Sequence, residues 1–358
     1  MRKLFWLIFV ALLAAAGWFA WAIFTPTEPP GQTFVLLHPG YSSRRIAAEL
    51  KSAGVIRSEQ AFILWHYVHR HRSLKAGEYL FEKPDNIINI QKRLLRGDVY
   101  FHTVVVPEGF TMFDIARAIE AAGLGPAQDF LKVAQSDTDM IADMAPHAKS
   151  LEGYLFPDTY DFTRMMPMRQ IAGVMVCNFR READRIGLDR RAVVVIGQPP
   201  EPKASNGCAP SEVIPGVPDD LTPLERTVIM ASIVEKETRV PDERPLVASV
   251  YYNRLGNHIA LDADPSIIYA ELLAGTYTGA LHHADMQFQS PYNTYRNPGL
   301  PPGPIANPGR SSLEAAMQPA QSDYYYFVAD AEGHHRFAHS IEEHNENVAA
   351  YRKAMRNR

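Results

Sequence analysis

The N-terminus limits what this chain can be more than any other stretch. Residues Leu4 to Phe24 form an unbroken apolar run, LFWLIFVALLAAAGWFAWAIF, preceded only by MRK. A helix of that length, rising about 1.5 Å per residue, reaches across a bilayer core of ~30 Å. Arg2 and Lys3 flank its start, and no further Lys or Arg occurs before Arg44. That bias puts the N-terminus in the cytoplasm and the remainder outside. Ala14 to Ala16 offer a cleavage-like stretch, but the run continues through Trp18, Phe19, Trp21 and Phe24. It is longer than the apolar region of a signal peptide, so a retained anchor is expected. The proline-rich TPTEPPG, residues 25–31, then reads as a short stiff spacer.

The 358 residues, 46% of them hydrophobic, suffice for a sizeable core and two or three domains. A net charge of −4 gives no electrostatic case for a nucleic-acid partner. Cys177 and Cys208 sit in no CxxC or lipobox-like context, so neither a zinc knuckle nor a lipid-modified N-terminus is supported. Spacing alone does not decide whether the two cysteines pair.

The exported part contains an internal echo. VLLHPGYSSRRIAAELKSAGVI (35–56) resembles VVVPEGFTMFDIARAIEAAGLG (104–125) at a constant offset of 69. Each copy reads as a strand, a glycine turn, a short amphipathic helix and a glycine stop, with Ser42 and Thr111 as N-caps. The first copy continues through a helical stretch (58–71), a strand (76–82) and a helix (88–97). A further helix is expected over roughly 168–186. Residues 198–220, rich in Pro, Gly and Ser and without a period, read as a flexible surface insertion. A last helix is expected near 340–356.

One carboxylate stands out. In LTPLERTVIMASIVEKET, Thr222 is an N-cap, Pro223 holds the first helical position and Glu225 completes a capping box. Leu224, Val228, Ala231 and Glu235 then follow at spacings of four, three and four, the core stripe of an amphipathic helix. Glu235 therefore occupies an apolar face, while Glu237 is expected to turn away into solvent. Burial and the helix C-terminus both disfavour the charged form of Glu235. A glutamic acid so held suits a general acid in glycoside cleavage. The alternative is a structural ion pair with Lys236 or an arginine.

The following segment, YYNRLGNHIALDADPSIIY (251–269), gives a helix ended by Gly256, a strand-like stretch, then Asp264 as N-cap. The proline-rich loop 290–313 presents Tyr292, Asn293, Tyr295 and Asn297 in quick succession. Aromatic faces and amides suit sugar rings, and a rigid structural loop has the same composition. The histidine pairs at 282–283 and 334–335 lack metal-ligand spacing.

LEGYLFPDTY, ASIVEKET, VYYNRL, LDADPSIIY, YNTY, GLPPGPIANPG, YYYFVAD (324–330) and FAHSIEEHN (337–345) occur in this order. Together they resemble the endolytic murein transglycosylases of the MltG (YceG-like) family. The resemblance runs from the apolar run to the C-terminus, apart from the 198–220 insertion. It implies an α+β protein of the bacterial inner membrane, single-pass, with its body in the periplasm. The implied segments are a cytoplasmic tip (1–3), a transmembrane helix (4–24), a linker (25–31), a small LysM-like βα module (32–100) and a mainly helical catalytic domain (101–358). The family motif A-S-I-[IV]-E-K-E lands on Glu235 as catalytic residue. The implied reaction cuts the MurNAc–GlcNAc β-1,4 bond within nascent strands, with the C6 hydroxyl of MurNAc as nucleophile, no second catalytic carboxylate, no cofactor and no metal. Glu152, Asp158, Tyr292, Asn293 and Tyr295 are the expected substrate-binding residues. Asp262 and Asp264 are further candidates to orient substrate or support the fold. Implied partners are glycan strands and the peptidoglycan synthases (penicillin-binding proteins). Rival readings are a non-catalytic glycan-binding scaffold for those synthases and a hydrolase that uses water.

Overall fold

The computed structural model describes residues 2–69, 73–188 and 220–356. Apart from Asp220 the expected 198–220 insertion lies outside the described residues, as does Cys208, and with it any pairing to Cys177. The chain divides into two compact units, Met1–Thr103 with Asp161–Met166, and Val104–Tyr160 with Pro167–Arg358.

The first unit runs α1 (Arg2–Phe24), β1 (Thr33–Leu37), α2 (Ser43–Ser52), α3 (Glu59–Val68), β2 (Gly77–Phe81) and α4 (Ile87–Arg96). Helix α1 is long and apolar enough to cross a membrane, the one such helix among the described residues. Its first two-thirds are exposed, yet Ala22 and Ile23 in its last turn belong to the unit's hydrophobic core, with Val35, Leu37, Phe62 and Tyr79. The stretch 25–31 is therefore not a free spacer. Thr27 and Asp85 exchange backbone hydrogen bonds of 2.8 and 3.2 Å, and Arg57 donates to the carbonyls of Thr25 and Pro26 at 2.8 and 2.7 Å. Arg57 also lies 5.0 Å over the Trp21 ring. The compositional reading missed this because proline-rich segments are stiff whether or not they dock.

Strands β1 and β2 pair antiparallel, from Thr33 opposite Phe81 to Leu37 opposite Gly77. Ser42 caps α2 as expected, its hydroxyl accepting from the Arg45 N–H at 3.3 Å.

The chain continues with β3 (His102–Val105), α5 (Met112–Ala121), α6 (Ala127–Ser136), β4 (Thr159–Phe162) and α7 (Met168–Ile186). The offset of 69 holds in three dimensions: β3 and α5 repeat the positions of β1 and α2. The likeness also extends further than the sequence reveals. Each copy has the order strand, helix, helix, strand, and in each the first and last strands pair. Thr111 caps α5 in a full capping box with Asp114.

The second unit closes with α8 (Pro223–Glu237), α9 (Arg244–Gly256), α10 (Asp264–Ala274), α11 (Arg310–Met317), β5 (Tyr326–Ala329), β6 (His335–Ala338) and α12 (Ile341–Arg356). The start of α8 is as expected, with the Thr222–Glu225 capping box and Pro223 in the first turn. The rest of α8 departs from an amphipathic surface helix. Leu224, Glu225 and every residue from Thr227 to Val234 are buried, because α9, α10 and α11 all pack on it. It is the central helix of the unit. The strand expected between α9 and α10 does not form. Residues 257–263 are irregular, with positive φ at His258 (56°) and Asp262 (51°), incompatible with a regular strand. Asp264 is the first residue of α10 rather than its cap. Strands β5 and β6 form an antiparallel hairpin, and α12 packs on it.

Candidate active site

Helix α8 ends where three segments of the second unit converge, and Glu235 sits in its last turn. Its side chain is only 5% exposed. One carboxylate oxygen, Oε1, accepts from Arg244 of α9 at 2.9 Å. The other, Oε2, accepts from the Gly309 backbone N–H at 3.0 Å and the Ser312 hydroxyl at 2.8 Å. Gly309 is the N-cap of α11 and Ser312 lies in its first turn, so the carboxylate faces the positive end of that helix. The arginine pairing that the stripe left open is thus realised, and the partner is Arg244, not Lys236. Lys236 instead donates to the Gly109 carbonyl at 3.2 Å.

Gly109 allows the close approach. Its φ is +76°, and a Cβ there would lie 3.4 Å from Cγ of Glu235. Its neighbour Glu108 brings a second carboxylate, half-exposed, whose Oε2 lies 3.4 Å from the same Arg244. The Arg244 guanidinium also donates to the Ser311 hydroxyl. Glu235, Arg244, Glu108, Ser312 and the Gly309 N–H therefore form one connected cluster.

Behind the cluster stands Asn307. Its side-chain oxygen accepts from the N–H groups of Gly153 and Leu155 at 2.8 and 2.9 Å. Its amide nitrogen donates to the Phe110 carbonyl at 2.9 Å and to Glu152 at 2.6 Å. Its own carbonyl accepts from the Gly109 N–H at 2.9 Å. One buried side chain thus ties the segments holding Glu108, Glu152 and Gly309 together.

The five expected substrate-binding residues fall in different surroundings, and none of them hydrogen-bonds Glu235. Glu152 and Asn293 have no exposed surface, so neither meets a ligand directly in this structure. Glu152 accepts from Met112 N–H, at the start of α5, at 2.9 Å. Asn293 braces its own loop, donating to the carbonyls of Met286 and Phe288 at 3.1 and 2.9 Å. Asp158 is exposed and tied to Asn178 of α7 at 2.8 Å. Tyr292 is part-buried against Tyr269, ring centroids 5.2 Å apart, and its hydroxyl is pushed up to about 12 by burial. Tyr295 is 38% exposed and donates to Asp264 at 2.6 Å. Asp262 pairs with Arg254 at 2.8 Å.

Glu237 overturns its expected solvation. Burial raises its carboxyl above the ordinary range, against the Tyr251 hydroxyl that hydrogen-bonds it, and Oε2 is enclosed without a partner. Helical counting placed it off the stripe correctly, but the side of α8 that carries Glu237 is packed against Tyr251 of α9, while Lys236 beside it is exposed.

Burial also pushes the Glu152 carboxyl up to about 8, opposed by the Met112 N–H, the Tyr269 hydroxyl and the Asn307 amide. A carboxyl raised in the folded state stabilises the fold below its unfolded value, and that stability is lost as pH rises through the folded value. The melting temperature is therefore expected to fall between about pH 4.5 and pH 8, and Glu152→Gln is expected to flatten that slope. Equal slopes by differential scanning fluorimetry would show that Glu152 does not carry the titration.

Sequence reasoning missed Glu108, Arg244, Asn307, Gly309 and Ser312 as parts of the site. Glu108 did leave a trace, as the lone charge in VVVPEGFTMF (104–113).

The profile of the YceG-like family matches residues 35–350. The chain belongs to the YceG-like family. It is 29% identical to the endolytic murein transglycosylase of Bacillus subtilis, over 95% of this chain and 91% of that protein. It is 26% identical to the endolytic murein transglycosylase of Streptococcus pneumoniae serotype 2, over 96% of this chain but 64% of that longer protein. A crystal structure of a yceG-like protein from Listeria monocytogenes superposes with a TM-score of 0.52 at 30% identity, covering 88% of this chain and 98% of that one.

Proposed function

We propose that this YceG-like chain is a membrane-anchored endolytic murein transglycosylase with Glu235 as its acid and base. The observation that carries the reading is the Glu235 carboxylate in the last turn of α8, nine-tenths enclosed and held by three donors on three different residues. Relatives that share most of the chain bear the same activity in their names.

In the proposed cycle Glu235 gives its proton to the oxygen bridging MurNAc C1 and the next GlcNAc. The C1–O bond breaks, and the GlcNAc leaves with a free 4-hydroxyl. The carboxylate so formed takes the proton from the C6 hydroxyl of the same MurNAc, whose oxygen closes on C1. Water is neither consumed nor released, and the product is a 1,6-anhydro end. Arg244 and the Gly309 N–H can only donate, so they stabilise the carboxylate formed midway. The Ser312 hydroxyl can either donate or accept, so it can follow the proton on and off Oε2.

Mass spectrometry of nascent glycan treated with the full chain tests the reading. Anhydro-ended internal fragments are expected. Reducing ends would mean attack by water, and no cleavage would favour a non-catalytic glycan-binding scaffold.

The anchor reading is supported by α1 and its surroundings. Phe24 meets Trp65 of α3 edge-on at 6.1 Å, and Leu64, Tyr67 and Val68 of α3 are exposed. Aromatic residues at such a junction suit a lipid–water interface. The mature protein is expected to keep its N-terminus and stay in the membrane pellet after carbonate extraction. A mature chain starting near Gly17 would make the run a signal peptide. The body would then stand in the periplasm, its first unit acting as a LysM-like glycan-binding module, within reach of new strands and their synthases.

A further inference from the structure

We propose that Glu108 is a positioning residue for the acid–base cycle of Glu235, holding Arg244 whenever Glu235 carries its proton. The proposal rests on the reading of Glu235 as the acid.

The difficulty it resolves lies in the site itself. A guanidinium stays charged at every pH an enzyme meets. Arg244 is enclosed, its side chain 6% exposed, and its short partner among carboxylates is Glu235 at 2.9 Å. To act as an acid Glu235 must begin each turnover neutral, which strips the buried guanidinium of that anion. A buried charge without a counter-charge is costly, so the pairing opposes the protonation that catalysis needs.

Glu108 is placed to remove the conflict. Its Oε2 lies 3.4 and 3.5 Å from the two terminal nitrogens of Arg244, about half an ångström outside a charge-assisted hydrogen bond. Its side chain is 50% exposed, so its own charge is hydrated and available. The backbone beneath it is fixed by Val106 N–H to the Asp158 carbonyl and by Gly109 N–H to the Asn307 carbonyl, both 2.9 Å. The Glu108 carboxylate lies directly over Gly309, where a Cβ would overlap Oε1. The residue whose N–H binds Glu235 therefore also makes the room for Glu108. A small swing of Arg244 from one carboxylate to the other keeps it paired through the whole cycle.

Other charges do not compete for this task. Lys236 on α8 is turned to the Gly109 carbonyl, and Glu237 is turned to Tyr251. On α11, Arg310 is engaged by Glu182 at 3.0 Å, and Ser312 is neutral. On α9, Arg244 is the charged group that meets Glu235.

The test is the pH dependence of kcat/KM for full-length Glu108→Gln on nascent glycan. With a neutral amide in place of the Glu108 carboxylate, Arg244 has Glu235 alone, and the acid form is disfavoured. The alkaline limb is expected to move down by about one pH unit, with about a tenfold loss of kcat at neutral pH. KM should stay within about twofold, and Glu108→Asp should restore most of the loss. Gly309→Ala provides a second route. Its φ of −77° tolerates a side chain, and the new Cβ displaces Glu108 without removing its charge. It is expected to shift the same limb in the same direction. A wild-type pH profile for folded Glu108→Gln, or a raised KM with unchanged kcat, would overturn the proposal. Glu235→Gln run beside them separates the two levels. If it remains active, the reading of Glu235 fails. If it is inactive while Glu108→Gln keeps the wild-type profile, only the role of Glu108 fails.

Discussion

Replacing Glu235 by glutamine is expected to remove glycan cleavage while leaving the fold intact. Glutamine keeps the length and one acceptor oxygen, so it can still accept from the Gly309 N–H and the Ser312 hydroxyl. Arg244 loses its closer anion but retains Glu108 at 3.4 Å. What glutamine lacks is a proton to give and the basicity to take one back. General acid–base groups contribute about 10²–10⁴-fold, or about 3–5 kcal/mol of barrier. Because Glu235 serves both half-reactions in the proposed cycle, the loss should lie at the upper end. Glu235→Asp should also be nearly inactive. A chain one methylene shorter cannot meet Arg244 on one side and the start of α11 on the other. The measurement is the yield of anhydro ends, with melting temperature as the control. A Glu235→Gln protein that folds and still cuts would move the acid elsewhere, with Glu108 the first candidate.

The parts legible in the sequence were those set by nearby residues. The N-cap at Thr111, the capping box at Thr222, the course of α7 and the repeat at offset 69 all follow from spacings of a few residues or from direct likeness. Glu235 was legible because apolar spacing along one helix identifies an inward face. Its partners were not, because they come from distant parts of the chain. Gly309 and Ser312 lie 74 and 77 residues further on, and Asn307 lies 155 residues from Glu152. Periodicity cannot report which loops meet. It also misled at Glu237, where counting a single stripe presumes that the opposite face is wet. Packing within the second unit encloses that face instead. The composition of the aromatic loop 290–313 suited both sugar contact and a rigid structural loop, and in the structure Asn293 and Asn307 turn inward and satisfy backbone groups. A proline-rich loop has few backbone donors of its own, so its amide side chains are drawn into bracing it.

Asn307→Ala should cause the largest loss of stability, and activity should fall with it. The Asn307 amide uses all of its capacity, with two donors to Phe110 and Glu152 and two acceptances from Gly153 and Leu155. Alanine would leave those groups enclosed, and each unmet buried polar group costs about 1–3 kcal/mol. Allowing for relaxation, about 3–5 kcal/mol should be lost, a large share of a typical domain's stability. Activity should fall because the same residue fixes the segments that carry Glu108 and Gly309. Asn307→Asp separates charge from shape. It keeps the two acceptances but, at a pH above about 8 where Glu152 is charged, sets a second carboxylate against it, where the donor now stands at 2.6 Å. Adding Glu152→Gln reverses the polarity of that contact. The new amide nitrogen would donate to the introduced aspartate, and the remaining oxygen would still accept from Met112 N–H. The double variant should therefore recover at least half of what Asn307→Asp loses, read as a coupling energy from a double-mutant cycle. Independent, additive losses would mean that Asn307 and Glu152 do not act as a pair, and that the site's rigidity comes from elsewhere in the α8–α11 packing.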